Sequence, residues 1–370
     1  MKTHRKFFIL SASIGTGHSQ AARAVAECIK LSHPGDHARV LDFLSADTFS
    51  IDQFLKRGYL KMLATFPLMY NQLYQNSQNK ALGNSVQSLL SWSFKKRMQR
   101  LISVLKPDAL LFTHPFPACA ANLLKKEGLL SIPLIGLITD FDIHRLWVDK
   151  NLDGYCVATE ELAEELAAQG VARDIIHVTG IPVRRSFYVA KQNPPEKKPG
   201  TVLLMGGGLG LGYITDTLKR LDKVSEIKNF IVITGQNISA YEEVASLRPN
   251  LSHAVELHSY TNKVAKFMGE AELIVTKPGA LTCTEALTMQ LPMVLVNALP
   301  GQERANAMHL EKQGCAVWVN RGQLAETVRE ILTNPEKRKK MAENCGDVLP
   351  DSSEKIVDIL YRAVEKKEIQ

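Results

Sequence analysis

Cysteine is sparse in this chain. The 370 residues hold six (Cys28, Cys119, Cys156, Cys283, Cys315 and Cys345), with no CxxC pair and no histidine at ligand spacing. That pattern argues against a disulfide scaffold or structural zinc and suits a reducing compartment. Long apolar runs are missing too: none approaches the roughly eighteen residues a spanning helix needs, which excludes a transmembrane protein. The start MKTHRKFFIL has the basic front of an export signal, but its apolar stretch is short and a Gly-rich turn follows at Gly15. It reads as a buried strand. Acids are nearly absent from Ile51 to Lys106, where Asp52 faces nine cations, so the net charge of +7 is concentrated there. What remains is ordinary for a folded protein, with 45% hydrophobic and 22% charged residues, and the length suits two or three domains at roughly 150 residues each.

Short apolar runs bounded by turn residues recur at Phe7–Leu10, Ala109–Phe112, Leu134–Ile138, Val202–Met205, Phe230–Ile233, Leu273–Val275 and Met293–Val296. Continuous rather than alternating runs suit strands buried on both faces of a parallel sheet. Helical stretches at Gln20–Ile29, Glu160–Gln169 and Glu285–Gln290 lie between them, which argues an α/β architecture. The segment KQNPPEKKPG (191–200) reads as a linker. A strand enters a Gly-rich turn on each side of it, at SASIGTGH (11–18) and at LLMGGGLGLG (203–212). The expectation is two similar α/β domains, 1–190 and 201–350, facing a cleft, with 351–370 a final helix packing back on the first.

Neither Gly-rich turn fits GxGxxG, and no GK[ST] follows either, which disfavours a dinucleotide dehydrogenase or a P-loop ATPase. Glycines such as Gly206, Gly207 and Gly208 still admit a phosphate close to the backbone, or else serve tight packing. The most informative segment is KPGALTCTEALTMQLPMVLVNALPGQERAN (277–306). A strand ends in Lys-Pro-Gly and a helix starts near Thr282, so free N–H groups around Ala280, Leu281 and Thr282 after Gly279 would face a diphosphate. Glu285, one turn in, suits both hydroxyls of a ribose. Equally, Thr282-x-x-Glu285 is a capping box that satisfies only its own helix. Gln302 and Glu303 in PGQE offer an amide and a carboxylate to sugar hydroxyls, as a chance polar loop also would. Asp140-Phe141-Asp142 is formally a DxD, which would hold a divalent metal, with His114 and His144 nearby in sequence. A donor motif far downstream does not require it, and a cleft-wall role is the reading adopted. Arg184 and Arg185, ahead of the linker, are placed to reach a diphosphate across the cleft or to be solvated.

SASIGTGHSQAARAV, ITDFDIHRLWVDKNLDGYCVATEE, TGIPVRRSF, MGGGLG, KPGALTCTEAL and PGQERANA, in that order from Lys6 to about Asn320, resemble the monogalactosyldiacylglycerol synthase and processive diacylglycerol glucosyltransferase family. A more distant likeness is to the peptidoglycan N-acetylglucosaminyltransferase. The resemblance implies a GT-B fold of two Rossmann-like domains, an inverting reaction, a nucleotide-sugar donor on the second domain, a lipid acceptor on the first, and no DxD-held metal or other cofactor. It places Tyr260 over the uracil and the Thr261 backbone on its edge. Ala280, Leu281 and Thr282 then meet the diphosphate, Glu285 the ribose, and Gln302 and Glu303 the sugar. It makes His18, beside Gly17 at the acceptor, the candidate base, with Asp140 as competitor. An imidazole of pKa near 6.5 is mostly neutral at pH 7, as a base must be. The chain departs from the family pattern at Ala280, where many relatives carry glycine, and near Arg304, which bears on sugar selectivity.

The basic stretch also holds Phe54, Tyr59, Phe66, Tyr70, Tyr74, Trp92 and Phe94. Cations such as Lys95, Lys96 and Arg97 mixed with aromatics suit a surface resting on anionic lipid; ordinary helices with core aromatics would share that composition. No nucleic-acid motif is present. The combined expectation is a peripheral enzyme of the cytoplasmic membrane face that moves glucose or galactose from its UDP conjugate to diacylglycerol. Its rivals are a polyprenyl-linked acceptor, a UDP-sugar 2-epimerase-like enzyme, and a non-catalytic UDP-sugar sensor.

Overall fold

A computed structural model describes residues 4–12, 16–44, 80–208, 210, 214–346 and 351–369. The chain forms two compact units, Met1–Pro182 with Asp351–Gln370, and Val183–Pro350. The changeover at Pro182/Val183 comes before the proline-rich segment 191–200, which lies within the second unit.

In the first unit the elements are β1 (Lys6–Ser11), α1 (Gly17–Ser32), β2 (His37–Asp42), α2 (Lys80–Leu105), β3 (Ala109–Phe112), α3 (Pro115–Lys126), β4 (Leu134–Leu137), β5 (Gly154–Val157), α4 (Glu160–Ala168) and β6 (Ile176–Val178). The second unit holds α5 (Arg185–Gln192), β7 (Thr201–Met205), α6 (Ile214–Leu221), β8 (Asn229–Ile233), α7 (Ile238–Leu247), β9 (Ala254–His258), α8 (Val264–Glu270), β10 (Leu273–Thr276), α9 (Ala280–Thr288), β11 (Met293–Leu295), α10 (Gln302–Lys312), β12 (Ala316–Trp318), α11 (Leu324–Thr333) and α12 (Pro335–Asn344). The final helix, α13 (Ser352–Ile369), returns to the first unit.

Among the described residues each unit has one six-stranded parallel sheet, ordered β2-β1-β3-β4-β5-β6 and β12-β11-β10-β7-β8-β9. Parallel strands need crossovers, and the intervening helices cover the sheets with their apolar faces. In the first unit, Phe7, Ile9, Val25 and Ile29 form a core with Ile356, Val357, Leu360 and Val364 of α13. Arg5 fixes the far end of that helix through Glu365 at 3.3 Å and Glu368 at 3.5 Å. In the second, Val202, Leu204, Phe230, Val232, Leu273 and Val275 pack against Leu218, Val244 and Val328.

The strand orders locate two crevices. Successive strands leave β1 toward β2 on one side and β3 on the other; they leave β7 toward β8 on one side and β10 on the other. At such a switch point the loops beyond the strand ends diverge and open a binding crevice. The described residues of those loops are Ala12, Thr16, Thr113 and His114 in the first unit, and Gly206, Gly207, Gly208, Gly210, Lys277, Pro278 and Gly279 in the second. Among the described residues, no helix is long and apolar enough to cross a membrane.

Candidate functional site

In the second unit the crevice is lined by the glycines after β7 and the Lys-Pro-Gly after β10. Gly207 has φ of +72°, and a Cβ there would stand 3.3 Å from the Lys277 side chain, so the two loops are in close approach. Lys277 in turn pairs with Glu303 at the start of α10. The second Glu303 oxygen accepts the Leu299 N–H at 3.0 Å. The buried Asn306 amide donates to the Pro278 carbonyl at 3.1 Å, which pins the Lys-Pro-Gly turn. Sequence reading passed over Lys277 and Asn306 as site residues, although both lie in the segment it singled out.

Helix α9 begins at Ala280, two residues earlier than expected, with Gly279 as its N-cap and no side-chain cap. Its first backbone bond runs from the Cys283 N–H to the Gly279 carbonyl at 3.0 Å. The N–H groups of Ala280, Leu281 and Thr282 therefore have no intrahelical acceptor, and the helix dipole adds positive potential there. Among the described residues the space beside the N-cap is open: a Cβ at Gly279 would meet nothing within 4 Å. The arrangement suits an anionic group such as a diphosphate.

The capping-box alternative is overturned. Thr282 lies inside α9, and Glu285 does not turn back to it; the residue is 5% exposed and its carboxylate accepts from Arg184 Nη2 at 3.3 Å. Burial pushes the Glu285 carboxyl up to about 7, with Arg184 opposing the rise. Arg184 is also not where the sequence suggested. It belongs to the second unit, at the N-cap of α5, and its guanidinium is engaged by Glu285 and lies 5.2 Å over the Phe187 ring. Gln302 opens α10, Tyr260 is 45% exposed beyond β9, and the Thr261 hydroxyl accepts the Lys263 N–H at 3.1 Å. All of these lie at the carboxyl edge of the second sheet.

In the first unit, α1 starts at Gly17 and carries His18 into the β1/β3 crevice. His18 Nδ1 is 2.6 Å from the Thr139 hydroxyl beyond β4. Its ring meets that of His114 edge-on, with centroids 5.2 Å apart. Burial lowers the His18 pKa, while the Asp140 charge and the Thr113 carbonyl act against that. The imidazole is thus neutral at pH 7 with a carboxylate close enough to steady a proton once taken up. His18 and Asp140, rivals in the sequence, are neighbours here.

His114 and His144 have plainer roles. Each Nδ1 accepts a backbone N–H as an N-cap, from Phe116 at 3.3 Å and Leu146 at 3.2 Å. Burial lowers both, His144 to about 4 and His114 well below its ordinary range. The two carboxylates of the DxD act on different neighbours, Asp140 on His18 and Asp142 on Glu165. Among the described residues, no group of three or more His, Cys, Asp or Glu side chains is arranged to hold a metal ion.

Much of the basic aromatic stretch, including Lys56, Arg57, Lys61 and the aromatics from Phe54 to Tyr74, lies outside the described residues. Of the rest, Trp92 is 74% exposed and Lys96 is exposed on α2. Phe94 is half-buried, its ring meeting Phe43 at 5.5 Å and Phe116 at 6.4 Å. Arg97 lies 5.3 Å over Phe43. Lys95 is paired with Glu127 at 2.7 Å, an acid beyond the stretch whose charge was counted.

Known proteins are similar to this chain in sequence and in architecture. The monogalactosyldiacylglycerol (MGDG) synthase model matches residues 18–183, and the glycosyltransferase family 28 C-terminal domain matches residues 201–357. The processive diacylglycerol beta-glucosyltransferase of Bacillus cereus (strain G9842) is 30% identical over 366 residues, covering 96% of this chain and 93% of the relative. Acinetobacter baumannii MurG superposes with a TM-score of 0.62 at 18% identity, covering 97% of this chain and 99% of that one. The UDP-GlcNAc 2-epimerase from Neisseria meningitidis, solved with UDP-GlcNAc, gives 0.57 at 14% identity over 97% and 100%. Those two likenesses establish the fold, which is GT-B. The 30% identity along nearly its full length establishes more: the chain belongs to the processive diacylglycerol β-glucosyltransferase family.

Proposed function

We propose that this protein is a hexosyltransferase that moves a sugar from a UDP-sugar to the free hydroxyl of diacylglycerol, giving a β-linked glycolipid. The observation that carries the reading is the uncapped start of α9 at the β7/β10 switch point, with Glu285 buried a turn and a half behind it. The diphosphate would take the N–H groups of Ala280, Leu281 and Thr282, the ribose Glu285, the uracil Tyr260 and Thr261, and the hexose Gln302 and Glu303. The B. cereus relative is named for glucose, which makes UDP-glucose the expected donor.

In this reading the acceptor oxygen bonds to the anomeric carbon as the bond from that carbon to UDP breaks, and the acceptor proton passes to His18. Asp140 steadies the resulting imidazolium, a pairing that makes a histidine an effective base. The amides of α9 stabilise the departing UDP where its charge develops, the largest electrostatic contribution available here. The reaction then needs no divalent metal. Trp92 and Lys96 on α2, with the basic surplus around them, would rest on anionic lipid at the cytoplasmic face of the membrane.

The test is mass spectrometry of lipids formed from UDP-glucose or UDP-galactose with diacylglycerol vesicles in EDTA. Glycosyl-diacylglycerol, from UDP-glucose above all, is expected. Interconversion of UDP-sugars without lipid would instead identify an epimerase, and transfer only to a polyprenyl-linked sugar would move the acceptor. Binding without any turnover would leave a sensor.

A further inference from the structure

A carboxylate accepts hydrogen bonds from both ribose hydroxyls most strongly when ionised; once protonated, one oxygen carries a donor and its power as an acceptor falls. Glu285 is therefore in a demanding place, 5% exposed in the interior of α9. The charge acting on it among the described residues is Arg184, at 3.3 Å from the neighbouring helix α5. On the other flank, Lys277 and Glu303 pair with each other, and both act on Cys283, whose thiol burial keeps uncharged. Arg184 is itself held in place. Its guanidinium lies over Phe187, which is fully buried, and its Nε is buried without a hydrogen-bond partner. An arginine so placed can favour the ionised form of one carboxylate and fix the direction in which its oxygens face.

We propose that Arg184 is a positioning residue that favours the ionised form of Glu285 and aims its oxygens, and so sets donor affinity through Glu285 rather than by gripping the diphosphate. The proposal rests on the ribose role of Glu285 given above. Because the Glu285 carboxyl lies at about 7 with Arg184 present, removing the guanidinium moves it higher and empties the binding-competent form at neutral pH. A rise of one unit would weaken binding about fivefold at pH 7 but only about 1.3-fold at pH 8.5.

The experiment measures affinity for uridine and for UDP between about pH 6 and pH 8.5 in the wild type, Arg184→Gln, Arg184→Lys and Glu285→Gln. The expected result is a loss in Arg184→Gln of equal size for both ligands, fading as pH rises, partly rescued by lysine, and silent in the Glu285→Gln background. A loss confined to UDP, or one of equal size at every pH, overturns the proposal. If Arg184→Gln does not fold, the wild type decides: uridine affinity must rise through about pH 7, and a flat profile overturns the proposal. Unchanged uridine and UDP affinity in Glu285→Gln would refute the ribose role itself, which is a separate failure.

Discussion

Burial of Glu285 has a stability consequence that can be measured without substrate. Its carboxyl is lifted from an ordinary 4.5 to about 7, chiefly by loss of water. Below the lower value the folded and unfolded chains both hold the proton. Between the two values only the folded chain does, so stability falls as pH rises across that window. The slope is about 1.4 kcal/mol per pH unit and the whole loss about 3 kcal/mol, complete once pH passes the folded value. Glu285→Gln removes the titration. It also leaves Arg184 without its partner, but that cost is the same at either pH because the guanidinium stays charged. The assay is amide hydrogen exchange of β10 and α9, corrected for intrinsic rate, in both proteins at about pH 5 and about pH 8. Across that interval the wild type should lose about 2–3 kcal/mol relative to the variant. A difference between the proteins constant to within about 0.5 kcal/mol would refute the desolvation argument.

Three further outcomes follow from side chains in the first unit. His18→Ala should reduce transfer by about a hundredfold or more while leaving UDP affinity unchanged, as expected of a proton acceptor that takes no part in holding the nucleotide; weakened UDP binding would contradict that role. Trp92→Ala combined with Lys96→Glu should weaken binding to anionic vesicles in a salt-sensitive way, at about 1 kcal/mol per cation. Lys95→Ala should matter little, because Glu127 already neutralises that lysine, and an equal effect from Lys95 would remove the distinction drawn between the two.

The interior of each sheet was legible as continuous apolar runs, because those strands are covered on both faces. Seven runs gave strands at or within a residue or two of their observed bounds. The strands that escaped notice have a shared cause. β2, β6, β9 and β12 are the four sheet edges, and they are short or half-exposed: His37–Asp42 alternates, and Ile176–Val178 and Ala316–Trp318 hold three residues each. β5 escaped because Gly154 and Tyr155 interrupt its apolar character. In the site, the Gly-rich turn and the segment after β10 were visible as motifs. The partner of Glu285 was not, since Arg184 lies 101 residues away and only the fold brings them together. The same holds for Asp140 and His18, which competed on the page of sequence and act on each other in space. Nor were the ring neighbours of Phe94 legible: an aromatic among lysines has the same composition whether or not its ring packs on Phe43 and Phe116, as it does here.

Uridine diphosphate seated on the start of α9 is the foundation of the whole account. A crystal structure of the protein with UDP tests it directly. The diphosphate should lie within hydrogen-bond distance of the Ala280, Leu281 and Thr282 amides, with the ribose hydroxyls on the Glu285 carboxylate. Nucleotide density at any other edge of the second sheet would contradict it.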